Sequence, residues 1–246
     1  MIRIAGDTHT HTVVCDHAFS TIMENIARAK AIGHTFQCIT EHGPAMPGGA
    51  GKLHFGMLAR NVHQNIDGVE IIRGAEANII DYDGNLDLPD SLISQLEWVI
   101  ASYHPPVIAP GTRADHTRGW VKIAENPRIH VIGHCGRSHY GFEHLPVLRA
   151  FKESGKIVEV NASSLRHDDS YDNCRKIALL CAEMSIPVVL SSDAHICCDI
   201  GNIDEAGRML EEIGFPLGLI LNTEHDKFMN AIKRIDKMHW GNYAKT

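Results

Sequence analysis

Asp7-Thr8-His9-Thr10-His11 follows a short apolar run, Ile2, Ile4 and Ala5, and leads on to His17. The apolar residues suit a parallel strand, and the chain then switches abruptly to alternating polar residues. Residues two apart on a strand face the same side, so His9 and His11 project together and can grip one metal ion. His17, in the loop beyond, is close enough to reach the same pocket. A His-x-His pair can also arise by chance in a chain with 17 histidines, so its meaning depends on what the other strand ends carry.

Working outward, strands and helices alternate with no composition break, low-complexity segment or linker. Thr21 and Glu24 form a capping box opening a helix to Ile32, which Gly33 ends. The strand over residues 35–40 ends at Glu41-His42-Gly43, before a Gly- and Pro-rich loop and a helix over 53–64. The strand over 69–74 delivers Glu76, and 81–87 reads as a hairpin insertion around Asp83-Gly84. Further strands over 98–103 and 129–133 end at His104 and His134. The last two, over 157–161 and 187–191, end at Asn161 and at Asp193-Ala194-His195. Helices over 147–153, 172–184, 204–213 and 224–238 fill the intervals.

Such alternation means a parallel sheet with helices outside. About seven units in this length predict an α/β fold of the (β/α) barrel type, distorted or one unit short of eight, with an open doubly wound sheet as the alternative. His9, His11, His42, Glu76, His104, His134, Asp193 and His195 all lie at or just past carboxyl ends of predicted strands. In a barrel those ends converge on one face, where active sites form. Histidines placed at random would have fallen on helices and strand starts as well. The distribution favours the barrel, with a metal site at the C-terminal ends of its strands.

Composition sets the outer bounds. The 246 residues fit one large domain, 1–246, and 44% hydrophobic with 22% charged residues is ordinary for a globular chain. No stretch approaches the roughly 18 consecutive apolar residues of a membrane span. The first residues lack the basic-then-apolar pattern of a signal peptide, so a cytoplasmic location is expected. Seven cysteines (Cys15, Cys38, Cys135, Cys174, Cys181, Cys197 and Cys198), with no Cys-x-x-Cys pair, argue against a disulfide framework and a thiolate zinc ribbon. Cys38 and Cys181 read as small buried hydrophobes. A net charge of −7 disfavours nucleic acid as a partner, because that affinity comes from neutralising phosphates. A small anionic substrate stays open, since bound cations can invert the local field.

The segments Asp-Thr-His-Thr-His-Thr (7–12), His17-Ala18-Phe19-Ser20 and Ile39-Thr40-Glu41-His42-Gly43-Pro44 belong together with Gly74-Ala75-Glu76-Ala77-Asn78-Ile79, His104 before its prolines, and Gly133-His134. Glu159-Val160-Asn161-Ala162-Ser163-Ser164, Asp172-Asn173-Cys174-Arg175 and Ser192-Asp193-Ala194-His195 complete the set. With them the chain resembles the PHP (polymerase and histidinol phosphatase) family, and more narrowly its YcdX-like metal-dependent phosphatase branch. The resemblance implies a distorted seven-unit (β/α)7 TIM-like barrel holding three divalent metal ions, zinc before manganese or iron. One ion would be held by His9, His11, Glu76 and Asp193. A second would take Glu76 as a bridge with His104 and His134, and the third His17, His42 and His195. A homotrimer is implied as well.

The chemistry such a site supports is hydrolysis of a small phosphomonoester. Metals about 3.5–4 Å apart lower the pKa of a bridging water and clamp a phosphoryl group, so the attacking group would be a metal-bridging hydroxide. Glu76 suits the bridge because a carboxylate has two oxygens, and with Asp193 and His195 it forms the catalytic set. Arg137, Arg166 and Arg113 are candidates to grip the phosphate bidentately, and Asn161 to face the site. His139 and His167 lie beside these arginines, and His54 and His116 sit in loops of the same predicted face. His34, His63, His130, His144, His225 and His239 read as surface or structural. Two departures from the family pattern stand out: Glu41 where aspartate is usual, able to hold the His42 imidazole from behind, and Cys135 where proline is usual, able either to join a metal or to pack. The alternatives are an amidohydrolase-type hydrolase, a PHP nuclease or phosphodiesterase, and a non-catalytic PHP module. The loop 43–52 and the insertion 81–87 are expected to wall a deep pocket suited to a terminal phosphate.

Overall fold

The computed structural model describes residues 1–166 and 168–240; His167 lies outside the described residues, as does the side chain of His239. In chain order the strands are β1 (Gly6–Asp7), β2 (Phe36–Ile39), β3 (Asn65–Ile66), β4 (Val69–Asn78), β5 (Trp98–Ser102), β6 (Val131–Ile132), β7 (Ile157–Asn161) and β8 (Val188–Ser191). All but β3 pair in parallel, in the order β1-β2-β4-β5-β6-β7-β8, and β3 adds an antiparallel edge to β4. The helices are α1 (Ile22–Ala31), α2 (Lys52–Asn61), α3 (Asp90–Ile93), α4 (Arg113–Glu125), α5 (His144–Glu153), α6 (Ala162–Leu165), α7 (Asp168–Met184), α8 (Asp204–Glu212) and α9 (His225–Trp240). This is a distorted (β/α)7 barrel. Among the described residues no helix is long and apolar enough to cross a membrane.

The distortion lies at the seam between β1 and β8. At the upper end the strands touch through a single parallel bridge, Thr10 with Ala194. Below it Asn222 stands in for ladder bonds: its Nδ2 donates to Gly6 O (3.0 Å) and Leu190 O (2.7 Å), and its Oδ1 accepts from Leu190 N (3.0 Å). The Ala5 amide donates to Asn222 O at 2.8 Å. The first strand therefore begins at Gly6, later than the apolar run Ile2–Ala5 suggests. A wedge of chain occupies the place an eighth parallel strand would take.

Side chains alternate along each strand between the helix layer and the barrel interior. Phe36, Cys38, Ile72, Trp98, Ile100, Val131, Ile157 and Val189 form one buried cluster with Leu221, Phe228, Ala231 and Ile232. The intervening residues, among them Val99, Ala101, Val158, Val160 and Leu190, join the larger cluster under the helices. α9 plugs the lower end, with Phe228 stacked on Phe36 (centroids 4.3 Å) and edge-on to Trp98 (4.9 Å). Emptying such a site by Phe→Ala costs about 3–5 kcal/mol. Gly74 keeps the wall closed, because a Cβ there would stand 2.4 Å from Trp98 O.

Each inward row turns polar towards its carboxyl end. The same parity carries Ile72 to Glu76 and Asn78, Ile157 to Glu159 and Asn161, and Val189 to Ser191 and Asp193. An apolar floor is thus built directly under a buried polar layer. β4 runs to Asn78 rather than ending near Gly74, so Glu76 is inside a strand, registered with Ile100 of β5. α2 stops at Asn61, and the hairpin pairing of β3 follows. The insertion closes as a loop through one antiparallel bridge, Ile79 with Leu86. α4 fills the interval after His104, where the sequence reading had no helix. Its signal was present in Thr112 and Asp115, which form a full capping box. α1 keeps the predicted box at Thr21 and Glu24, and Gly33 turns the chain at φ +82°.

Candidate metal centre

The polar layer gathers the predicted ligands from the ends of every parallel strand but β7. Around one point lie His9 Nε2, His11 Nε2, Glu76 Oε2 and Asp193 Oδ1. Their separations are 3.2 Å (His9–Glu76), 3.6 Å (His9–Asp193), 3.6 Å (His11–Glu76) and 3.3 Å (His11–Asp193). Around a second lie Glu76 Oε1, His104 Nε2 and His134 Nε2, separated by 3.3, 2.9 and 3.2 Å. Tetrahedral ligands about 2.1 Å from an ion stand about 3.4 Å apart. Both groups have that spacing, and the two oxygens of Glu76 divide between them.

Hydrogen bonds fix which ring nitrogens are free to ligate. His9 Nδ1 donates to Glu159 Oε1 (2.6 Å), His104 Nδ1 to Asn78 Oδ1 (2.8 Å) and His195 Nδ1 to Asp193 O (2.9 Å). Asn78 is itself oriented, since its Nδ2 donates to Asp87 Oδ2 (2.6 Å) and Gly43 O (3.1 Å). A protonated Nδ1 leaves the Nε2 lone pair outward, the arrangement a metal needs. His9 Nε2 and both ring nitrogens of His11 are buried with no hydrogen-bond partner. Such orphans are costly unless an ion completes them, and the donor set fits divalent metal.

The third set is looser. The His17, His42 and His195 rings lie 4.8–5.8 Å apart, and His11 stacks on both His42 and His195 at 4.3 Å. His42 Nδ1 lies 2.6 Å from Glu76 Oε2, so this ring faces the first two groups as well as its own. Two ligand positions have left-handed backbones, His134 at φ +24° and Asp193 at φ +57°. Such conformations cost of order 1–3 kcal/mol in residues other than glycine and cluster at functional sites.

The electrostatics ask for positive charge. Burial would raise Glu76 and Asp193, yet surrounding imidazoles hold both well below the usual carboxylate range, with Arg137 adding to the effect on Asp193. Burial depresses His9, but Glu76, Glu159 and Asp193 overcome it and raise it well above normal. Burial, followed by His42, drives His11 well down, and burial with Arg137 takes His134 to about 4. Three buried carboxylates thus lie among rings of which His9 is raised and His11 and His134 are depressed.

Among the phosphate-binding candidates, Arg137 reaches the cluster, donating to Asp193 Oδ2 (3.0 Å) and Ser164 Oγ (3.1 Å). Asn161 Nδ2 donates to the same Asp193 oxygen at 3.2 Å. Arg113 opens α4 in an exposed pair with Glu143, and exposed Arg166 lines a separate cleft with Asn202, Asp204, Glu205 and Arg208. His116 is fully used elsewhere, accepting from Gly111 N and donating to Gly141 O, while His139 is exposed. His54 keeps Nε2 buried beside Phe55, apart from the cluster. Cys135 packs: burial raises its thiol well above normal, and it borders a small cavity with Cys174 and Cys181. Glu41 accepts from Thr12 N (3.1 Å), Thr12 Oγ1 (2.5 Å) and Cys15 Sγ (3.1 Å), and its carboxylate lies within 4.8 Å of a His11 ring nitrogen.

The residues that orient the ligands were the ones sequence reasoning missed. Glu159 binds His9, the His134 amide (2.6 Å) and Ser191 Oγ (2.6 Å). Asp7 accepts from Ser192 N, Ser192 Oγ and Gly201 N, tying the first motif to the last. An acid between valines in a buried strand was the readable sign of Glu159; Asn78 shares the face of Glu76, two residues on. The 43–52 loop and the 81–87 insertion are joined where Ala45 N donates to Asp87 Oδ2 (2.9 Å).

A parallel barrel with carboxylates and imidazoles converging at its carboxyl ends offers a donor set that could hold divalent metal. Residues 7–163 match the PHP domain. A "probable phosphatase" of Caldanaerobacter subterraneus is 44% identical over 229 residues, 92% of this chain and 90% of that protein. Another of the same description, from Acetivibrio thermocellus, is 40% identical, covering 95% and 97%. The fold is shared with the crystal structure of histidinol phosphate phosphatase from Lactococcus lactis, complexed with zinc, L-histidinol and phosphate. That likeness has a TM-score of 0.60 at 15% identity, over 86% of this chain and 94% of that one. The chain belongs to the PHP domain family, and it is a hydrolase of the phosphatase type.

Proposed function

We propose that the protein is a metal-dependent phosphoesterase that hydrolyses small phosphomonoesters with three divalent ions, zinc first among them. The observation that carries this reading is the pair of ligand polyhedra sharing Glu76, with edges of 2.9–3.6 Å and orphaned donor atoms inside. His9, His11, Glu76 and Asp193 would hold one ion, Glu76, His104 and His134 the second, and His17, His42 and His195 the third. When bound, such ions supply an activated water and a clamp on phosphoryl oxygens.

The chain's own residues then have separable tasks. Glu159, Asn78 and the Asp193 carbonyl hold the imidazole tautomers. Arg137 keeps Asp193 ionised and offers its remaining N–H groups to a phosphoryl oxygen. Asn161 donates beside it. With the acidic net charge, attraction for an anion is confined to this pocket, which favours a terminal phosphate over a polynucleotide. Zinc-reconstituted protein should hold up to three equivalents, cleave p-nitrophenyl phosphate, and lose that activity to a chelator. Less than one equivalent, or turnover indifferent to the chelator, overturns the reading, and a preference for polynucleotide strengthening at low salt replaces it with a nuclease.

A further inference from the structure

We infer that Glu41 is a positioning residue for His17: it anchors the loop that carries this histidine over the site, not the neighbouring His42 ring. The inference rests on the phosphoesterase reading only in assigning His17 to an ion. The loop over residues 12–20 leaves the barrel after His11 and presents His17 at its exposed crest. Among the described residues the His17 ring makes no hydrogen bond; its neighbours are the His42 and His195 rings, at 5.0 and 4.8 Å. Its place is therefore set by backbone alone.

The root of that backbone is held by one carboxylate. Glu41, Thr12 and Cys15 are all buried at 0–1% exposure. Thr12 brings its amide and its hydroxyl to Glu41, and Cys15, two residues before His17, brings its thiol. The turn between is closed by Cys15 N to Thr12 O (2.9 Å), and Ala18 N to Cys15 O (2.9 Å) extends it past His17. Elsewhere the loop is tied by Asp16 N to Gly48 O, Val13 N to Ser20 O and Phe19 N to His195 O. The carboxylate is the one charged partner in this set, and bonds to a charged acceptor are roughly twice as strong as neutral ones. Side-chain length matters. An aspartate would withdraw its oxygens by about 1.5 Å, one carbon–carbon bond, taking the contacts at 3.1 Å beyond hydrogen-bond range. The glutamate is matched to Cys15 and Thr12, and the departure from the usual aspartate is a change in which element the acid supports.

The test uses Glu41→Gln, which keeps length, with Glu41→Asp and Cys15→Ala beside it. In metal-free protein, hydrogen exchange at residues 12–19 should quicken at least tenfold in E41Q and E41D, with α1 and β2 unchanged. In zinc titrations the weakest of the three ions should lose roughly 10–100-fold in affinity, the range for a residue that orients a ligand, with the other two within threefold. C15A should move both readouts the same way by less, and it keeps the test alive if E41Q fails to fold. Unchanged exchange, or equal weakening of all three ions, overturns the inference. If wild-type protein binds no third ion, the assignment of His17 to an ion fails, while the exchange measurement still judges Glu41.

Discussion

Replacing Glu159 by glutamine should weaken metal binding roughly 10–100-fold without unfolding the barrel. The carboxylate is buried and takes three bonds of 2.6 Å, from His9 Nδ1 and Ser191 Oγ on one oxygen and from the His134 amide on the other. A glutamine has one oxygen for these two positions. With its NH₂ towards His134 it opposes a backbone N–H that cannot change, at a residue already held at φ +24°. With its NH₂ towards His9, Ser191 can rotate its hydroxyl, but His9 must move its proton to Nε2, the atom facing Glu76 and Asp193. Either way one ligand is disturbed and a charge-assisted bond is lost, about 1.5–3 kcal/mol. At 1.4 kcal/mol per decade that is about one to two decades of affinity. Competition against a chromophoric chelator reads the affinity, and a thermal melt checks the fold. Zinc affinity within twofold of wild type in a folded E159Q protein would refute the argument that Glu159 sets the His9 tautomer.

Glu76→Gln should cost far more. It removes the charge shared between the two polyhedra, so phosphomonoester turnover should fall by orders of magnitude while circular dichroism is preserved, and normal turnover would exclude Glu76 as a bridge. A different response is expected from Lys156 at the foot of β7, whose Nζ donates to Asn126 O (2.6 Å) and Ile129 O (2.8 Å), and whose pKa burial pulls down to about 7. The folded chain releases this proton near pH 7, the unfolded chain near 10.4, so between them the unfolded state binds more protons and stability rises with pH. The rise is at most about 4.6 kcal/mol, at 1.36 kcal/mol per unit. Lys156→Met should flatten the melting-temperature profile between pH 6.5 and 9.5, and an unchanged slope would mean the amine is not the titrating group.

Much of the site was legible because the sheet obeys a period of two. His9, His42, Glu76, His104, His134 and Asp193 lie where polar residues interrupt apolar strand patterns, and each strand brings its polar end to the same rim. The seam was not legible. Asn222 looks like any polar residue in a loop, and only the approach of Gly6 and Leu190 turns its amide into three ladder-like bonds. The helix that Arg113 opens was not among those read from the sequence, although Thr112 and Asp115 spell a helix start. Glu41 was hard to read from sequence for a different reason. Adjacency along a strand sends neighbouring side chains to opposite faces, so the residue beside His42 is badly placed to hold the His42 ring and well placed to reach what packs behind it. What packs behind it is the loop of Thr12 and Cys15, contributed by the preceding strand. The same parity that made the ligands readable therefore argues that their supports come from other strands, as Glu159 does for His9, Asn78 for His104 and Asp7 for the Ser192 turn. His9, His104 and His134 are each oriented by a residue distant in the chain. Replacing a support should thus couple sites on different strands, as Glu159 joins His9 of the first strand end to His134 and Ser191.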